Sequence, residues 1–326
     1  LQDAPVSALV TKEQLRSRLA RSLPARGTDP AHVIDDLVAD TAGGLLGSPS
    51  GRFFGWVIGG SLPAALAADW LTSTWDQNAA LYACGPAVAV IEEICGRWLK
   101  QLLGIPEKAS FALVTGCQMS HVTCLAAARH HLLEAGGWDV ETKGLWGAPR
   151  ICLLTGTHRH GSIERAVRLL GLGRECIVDL PLDDQSRLSS LSLEKALKER
   201  EGDPNIVVLQ AGDINTGSFD PFRELISLAH EHHAWVHVDG AFGLWANASP
   251  KLRHFLNGAE AADSWSTDGH KWLNVPYDCG YAFVANANAH RDSLSLRASY
   301  LTHGGVTGSS RSPASRPASK FAGRGI

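Results

Sequence analysis

From Phe111 to Val284 the chain alternates short apolar runs with longer segments of helical spacing, and this alternation restricts its fold more than any other feature. The runs Phe111–Val114, Ile151–Leu154, Cys176–Leu180, Ile206–Leu209 and Trp235–Val238 are separated by the helical stretches Ser120–Glu134, Ile163–Leu170, Leu191–Glu201 and Phe222–His232. Strands joined by helices of this length require crossover connections, which predicts a mostly parallel sheet covered on both faces, an α/β fold. Ala262–Ser266 and Gly280–Val284 read as further strands before a last helix near Ala287–Leu296. In such sheets ligands sit beyond the carboxyl ends of the strands, so chemistry is expected in the residues that follow each run.

The residues before the alternation read as helices: Thr11–Leu23, Ala31–Leu46, Pro63–Tyr82 and Pro86–Leu103. In the last of these Val88, Ile91, Trp98 and Leu102 recur near a 3.6-residue period. The predicted organisation is a helical N-terminal segment (1–103), an α/β domain (104–303) and a tail (304–326). The tail is rich in Gly, Ser, Pro, Ala and Arg, a composition that predicts disorder.

Thirty-three acids against 30 bases leave a net charge of −3, which gives no general attraction for nucleic acid or an anionic membrane. The apolar stretches 64–81 and 87–103 are interrupted by Asp69, Glu92, Glu93 and Arg97, short of the roughly 20 apolar residues of a membrane helix. Seven scattered cysteines, an odd number without a CxxC pair, point to a reducing, cytoplasmic setting. No basic segment followed by an apolar core opens the chain, so no signal peptide is expected.

Four segments carry chemistry-bearing residues at predicted strand ends. Thr267-Asp-Gly-His-Lys-Trp272 places Lys271 at the mouth of the sheet, where it is either a solvated surface amine or a nucleophile toward a carbonyl. His237-Val-Asp239-Gly-Ala241 ends a strand with an acid that either caps a turn or faces a ligand. Taken together, a lysine and a carboxylate are what pyridoxal phosphate requires, one for its aldehyde and one to keep its pyridine nitrogen protonated. Thr115-Gly-Cys-Gln-Met-Ser-His121 is read as a loop before a helix N-terminus, either an ordinary turn or a phosphate cradle. His158-Arg-His160-Gly-Ser-Ile-Glu-Arg165 offers His160, either a loop histidine or a ring that lies flat on an aromatic cofactor.

These segments, from about Gly51 to Gly305, resemble the pyridoxal-phosphate-dependent group II amino-acid decarboxylases. The resemblance implies a fold type I large domain, a homodimer, an L-amino-acid substrate and release of an amine and CO2. It makes Lys271 the Schiff-base lysine, His160 the ring-stacking histidine, and Asp239 with Ala241 the pyridine-binding strand end. His270, Asp268, Ser264, Cys117 and Gln118 fall on positions that contact the phosphate in that family. Asp213 stands near the ring where relatives carry threonine, and Asp268 where many carry asparagine. Arg52-Phe-Phe-Gly-Trp56 is similar to the family's substrate-side segment. The family continues beyond the Tyr300 region with a mobile loop and a C-terminal domain whose patterns do not appear after Gly305, which implies a truncated enzyme. Transamination, lyase chemistry at the α-carbon and a catalytically silent coenzyme-binding fragment are the alternatives. The histidines at 130–131, 230 and 232–233 read as helix-surface residues, and no metal site is expected.

Overall fold

The computed structural model describes residues 5–79 and 82–295, so the tail at 304–326 and Tyr300 lie outside the described residues. Four helices precede the sheet: α1 (Lys12–Leu19), α2 (Pro30–Asp40), α3 (Pro63–Trp75) and α4 (Pro86–Leu103). Proline in the first turn starts α2, α3 and α4, because its missing N–H would be unpaired there in any case. The helix α1 is closed by a reciprocal Thr11–Gln14 capping box. The first three helices are shorter than the sequence predicts. Their observed ends precede Pro24, the Gly43–Gly44 pair and left-handed Asp76, each unfavourable to helix continuation.

The sheet comprises β1 (Ser110–Val114), β2 (Cys152–Gly156), β3 (Ile177–Leu180), β4 (Asn205–Gln210), β5 (Trp235–Asp239), β6 (Ser264–Asp268) and β7 (Gly280–Val284). Its order is β1-β7-β6-β5-β4-β2-β3. Strands β2 to β6 pair in parallel, and β7 runs antiparallel to both β6 and β1. The intervening helices are α5 (Gly116–Ala135), α6 (Val140–Lys143), α7 (Gly161–Leu169), α8 (Ser190–Lys198), α9 (Phe222–Glu231) and α10 (Gly269–Trp272), and α11 (Ala287–Leu294) follows β7. The fold is therefore the mostly parallel α/β architecture that the alternation implies, with one reversed strand.

Both faces of the sheet are covered, which explains why its strands read as continuous apolar runs. In β4, Val207 and Leu209 join one core cluster with Phe222, Leu225 and Trp265, while Ile206 and Val208 join the other with Leu125, Ile163 and Val167. Alternate side chains thus enter opposite cores, and each fully buried Leu, Ile or Phe contributes roughly 1.5–3 kcal/mol.

One departure from the sequence reading bears directly on function. Gly116 adopts φ +73° and α5 begins there, directly behind β1, so residues 117–121 form its first turns rather than a loop. Gly280 makes this junction possible, since a Cβ on it would stand 2.4 Å from the Gly116 carbonyl carbon. Among the described residues no helix is long and apolar enough to cross a membrane.

Candidate active site

A cavity of about 360 Å³ lies at the carboxyl ends of β4, β5 and β6 and is flanked by the N-termini of α5 and α7. The parallel strands point their carboxyl ends to this one side, so residues distant in sequence converge there. Lys271, Asp268, His270, Asp239, Ala241, His160, Cys117 and Gln118 all line it. Ser264 and Asp213 do not.

Lys271 sits in α10, the single turn that follows β6. Its Nζ lies 3.1 Å from Asp268 Oδ2 and 5.8 Å from the centroid of the Phe242 ring. Asp268, 2% exposed, also accepts the backbone N–H of Cys117 through Oδ1 at 2.6 Å. The carboxylate therefore spans the start of α5, where the helix dipole favours negative charge, and the lysine amine. Asp268 is thus the ion partner of Lys271 and occupies one of the helix N–H donors.

His270 accepts the Cys279 N–H through Nδ1 at 3.1 Å and stacks on Tyr277 with ring centroids 4.1 Å apart. Burial lowers its pKa and raises that of the Tyr277 phenol. Gly59 lets the N-terminal segment approach this turn: its N–H bonds the His270 carbonyl at 3.1 Å, and a Cβ there would fall 2.2 Å from the Lys271 carbonyl oxygen. The same segment delivers Trp56 and Val57 to the cavity, both with positive φ, whereas Arg52, Phe53 and Phe54 of the expected substrate-side segment do not line it.

Asp239 ends β5 and is 6% exposed. Its Oδ1 accepts the Ala241 N–H at 3.2 Å, and its Oδ2 lies 3.6 Å from His121 Nε2. His160 caps α7, with Nδ1 2.8 Å from Ser162 Oγ and accepting the Ser162 N–H at 3.3 Å. Gln118 links the two helix starts by donating from Nε2 to the Ser162 carbonyl at 3.2 Å, and its buried Oε1 has no partner among the described residues.

Two implied contacts are placed elsewhere. Ser264 begins β6, at the opposite end of the strand from Lys271. It is fully buried, with its hydroxyl 2.9 Å from both Trp235 Nε1 and His237 Nδ1. Asp213 turns its Oδ1 into its own loop, accepting from the N–H groups of Asn215 and Thr216 at 2.9 and 2.7 Å. Its neighbours Gly212 and Ile214 line the cavity instead.

Several lining or supporting residues were not singled out from sequence: Phe242, Tyr277, Arg165, His121 and His237. Two of these had usable signals. His121 lies one helical turn from Cys117, and His237 lies two strand positions from Asp239 and so shares its face. The donor atoms of Cys117, His121 and Asp239 fall within 4.8 Å of one another, a set of metal-ligand types among the described residues. Burial raises the Cys117 thiol well above its ordinary range, and its Sγ lies 3.5 Å from His121 Nε2.

The chain is similar to several known proteins. The pattern described as "Pyridoxal-dependent decarboxylase conserved domain" matches residues 13–313. An aromatic-L-amino-acid decarboxylase of Bacillus atrophaeus is 29% identical over 304 residues, covering 92% of this chain and 61% of the relative. Oryza sativa TDC, solved with PLP and tryptamine, is 25% identical with a TM-score of 0.83, covering 93% of this chain and 63% of that one. The apo form of mouse CSAD is 24% identical with a TM-score of 0.83, over 92% of this chain and 63% of that one, a likeness of fold. The chain thus spans about 61% of the length of the curated relative it matches. With a matched pattern covering most of its length and the fold shared, the chain belongs to the pyridoxal-dependent decarboxylase family.

Proposed function

We propose that this chain is the coenzyme-binding portion of an enzyme that decarboxylates an L-amino acid to its amine and CO2. The observation that carries this reading is the convergence of Lys271, Asp239 and His160 on one cavity at the carboxyl edge of the sheet. The donor set fits pyridoxal phosphate: an amine for the aldehyde, a buried carboxylate for the pyridine nitrogen, an imidazole at the rim, and first-turn N–H groups of α5 for the phosphate.

When bound, the coenzyme supplies an electron sink for the pair left at the α-carbon as a bond there breaks. The residues of this chain do the rest. Asp268 holds Lys271 Nζ at 3.1 Å and is the acceptor nearest to the proton the amine must shed before it attacks a carbonyl. Asp239, anchored by the Ala241 N–H, presents its carboxylate to a ring N–H. Phe242 and Trp56 line the cavity with apolar surface that suits an apolar or aromatic substrate side chain.

We further propose a homodimer and a cytoplasmic setting. Supporting the first are the exposed α2 residues Val33, Ile34, Leu37 and Val38, whose spacing puts them on one helix face, since a contiguous exposed apolar face marks an interaction surface. Supporting the second, all seven cysteines are free.

The test is product analysis with pyridoxal phosphate present and L-tryptophan, L-phenylalanine or L-glutamate as substrate. Equimolar amine and CO2, lost in Lys271→Ala, are expected. A keto acid in place of the amine, or no product from protein that has taken up the coenzyme, overturns the reading.

A further inference from the structure

Behind Asp239, on the side away from the cavity, four buried side chains form a continuous line of hydrogen bonds into the core. The line begins at Trp235, whose indole N–H can only donate, and reaches Ser264 Oγ at 2.9 Å. Ser264 Oγ lies 2.9 Å from His237 Nδ1, and His237 Nε2 lies 3.0 Å from His121 Nδ1. His121 Nε2 then faces Asp239 Oδ2 at 3.6 Å. The sheet and the helix place these groups for simple reasons: His237 and Asp239 share a face of β5, and His121 lies on the turn of α5 that crosses it.

One polarity of this line runs from the indole to the carboxylate. The indole N–H occupies one lone pair of Ser264 Oγ and leaves the serine proton available to His237 Nδ1. In that polarity the His237 proton is on Nε2, donated to His121 Nδ1, and the His121 proton is on Nε2, directed at the Asp239 carboxylate. Reversing the line would set the His121 Nε2 lone pair against a carboxylate oxygen, with the weak Cys117 S–H donor, 3.5 Å away, as its partner. Ser266 agrees with this direction, since it donates to Cys124 Sγ at 3.8 Å and its oxygen lies 3.3 Å from His237 Nε2, where it shares that N–H. Both imidazoles are fully buried, and burial pushes each down to about 3, so they are neutral and each has one proton to direct.

We propose that His121 is a positioning residue for Asp239: its Nε2–H, oriented by the Trp235–Ser264–His237 relay, holds Oδ2 from behind while the Ala241 N–H holds Oδ1. Two donors fix the carboxylate plane and support its negative charge, the state needed to accept a pyridine-nitrogen proton. The 3.6 Å separation is the kind that tightens once the ligand is in place. This inference deepens the proposed function and rests on Asp239 being the partner of the coenzyme nitrogen. It adds a residue that the lysine, strand-end and histidine motifs do not contain.

Three measurements on the full chain test it. First, histidine-labelled wild-type protein without coenzyme is examined by 15N NMR. His121 and His237 should both show the Nε2–H tautomer, and the Nδ1–H tautomer on either overturns the relay whatever the protein does with the coenzyme. Second, pyridoxal phosphate is titrated into wild type, His121→Leu and His121→Asn, following the visible absorbance. Loss of a hydrogen bond to a charged group predicts binding weaker by roughly ten- to a hundredfold for His121→Leu, with His121→Asn, which keeps an amide N–H, within about threefold of wild type. Wild-type affinity in a folded leucine variant, or an equal loss in both variants, overturns the proposal. Third, Trp235→Phe removes the first donor and keeps the aromatic bulk. It should shift the pH at which the bound coenzyme's visible band changes, a quantity set by the titratable groups around it, Asp239, Asp268, Cys117, His121, His160, His270 and Lys271, all unaltered. An unshifted profile contradicts the relay, and this arm decides the question if His121→Leu does not fold. Failure of wild type to take up coenzyme at all would instead refute the function proposed above and leave the NMR result standing.

Discussion

Replacing His121 with asparagine should remove a defined share of the protein's acid sensitivity. His121 and His237 are wholly buried, and burial lowers each from 6.5 to about 3. Between those values the unfolded chain binds a proton on each imidazole that the native protein does not, so stability is present above pH 6.5 and is lost as pH falls toward 3. The slope approaches about 1.4 kcal/mol per pH unit per histidine. Integrated from pH 7 to pH 5, each imidazole costs about 2 kcal/mol and the pair about 4 kcal/mol. Asp220, which burial raises to about 6, acts with the opposite sign, but it is present in both proteins and cancels in their difference. Urea unfolding at pH 5, 6 and 7, followed through the fluorescence of the ten tryptophans, supplies the comparison. Wild type should lose about 2 kcal/mol more than His121→Asn across that range. Equal losses would mean that His121 is not a neutral buried base, and the account of the core behind Asp239 would fail.

Other substitutions test the scaffold. Gly280→Ala forces a Cβ to within 2.4 Å of the Gly116 backbone, so it should cost about 1–3 kcal/mol or more and weaken coenzyme uptake together with stability, read by thermal melts and absorbance titration. Asp220→Ala strands the buried N–H of Leu188 and the half-buried N–H of Gln210, each bonded to the carboxylate at 2.7 Å, and should lower the unfolding free energy by about 2–5 kcal/mol in urea titrations. Phe222→Ala empties a core position that is 1% exposed and should cost about 3–5 kcal/mol by the same assay.

The alternation of short apolar runs and helical segments was sufficient to read β1 to β7, because both faces of the sheet are buried and most of the runs are apolar, β6 with Ser264, Ser266 and Thr267 being the most polar. The reversal of β7 was not legible, since an antiparallel strand buried on both faces has the same composition as a parallel one. Lys271, Asp239 and His160 were legible because each follows a strand, where the fold collects its ligands. The start of α5 was misplaced because glycine suggests a loop, whereas the positive φ of Gly116 is what allows the helix to begin at once. Ser264 was carried to the phosphate by resemblance alone; its place at the first residue of β6 puts it at the far end of the strand, within reach of Trp235 and His237. The partnership of His121 and His237 is a contact between residues 116 positions apart, and no local pattern records it.

The central claim is that Lys271 is the residue that captures pyridoxal phosphate. Its most direct test is to soak the purified protein in coenzyme, reduce with borohydride, digest, and locate the added mass by peptide mass spectrometry. The account predicts label on the peptide containing Lys271, with none in Lys271→Ala. An unmodified Lys271, or label confined to surface lysines such as Lys195 and Lys198, would contradict it.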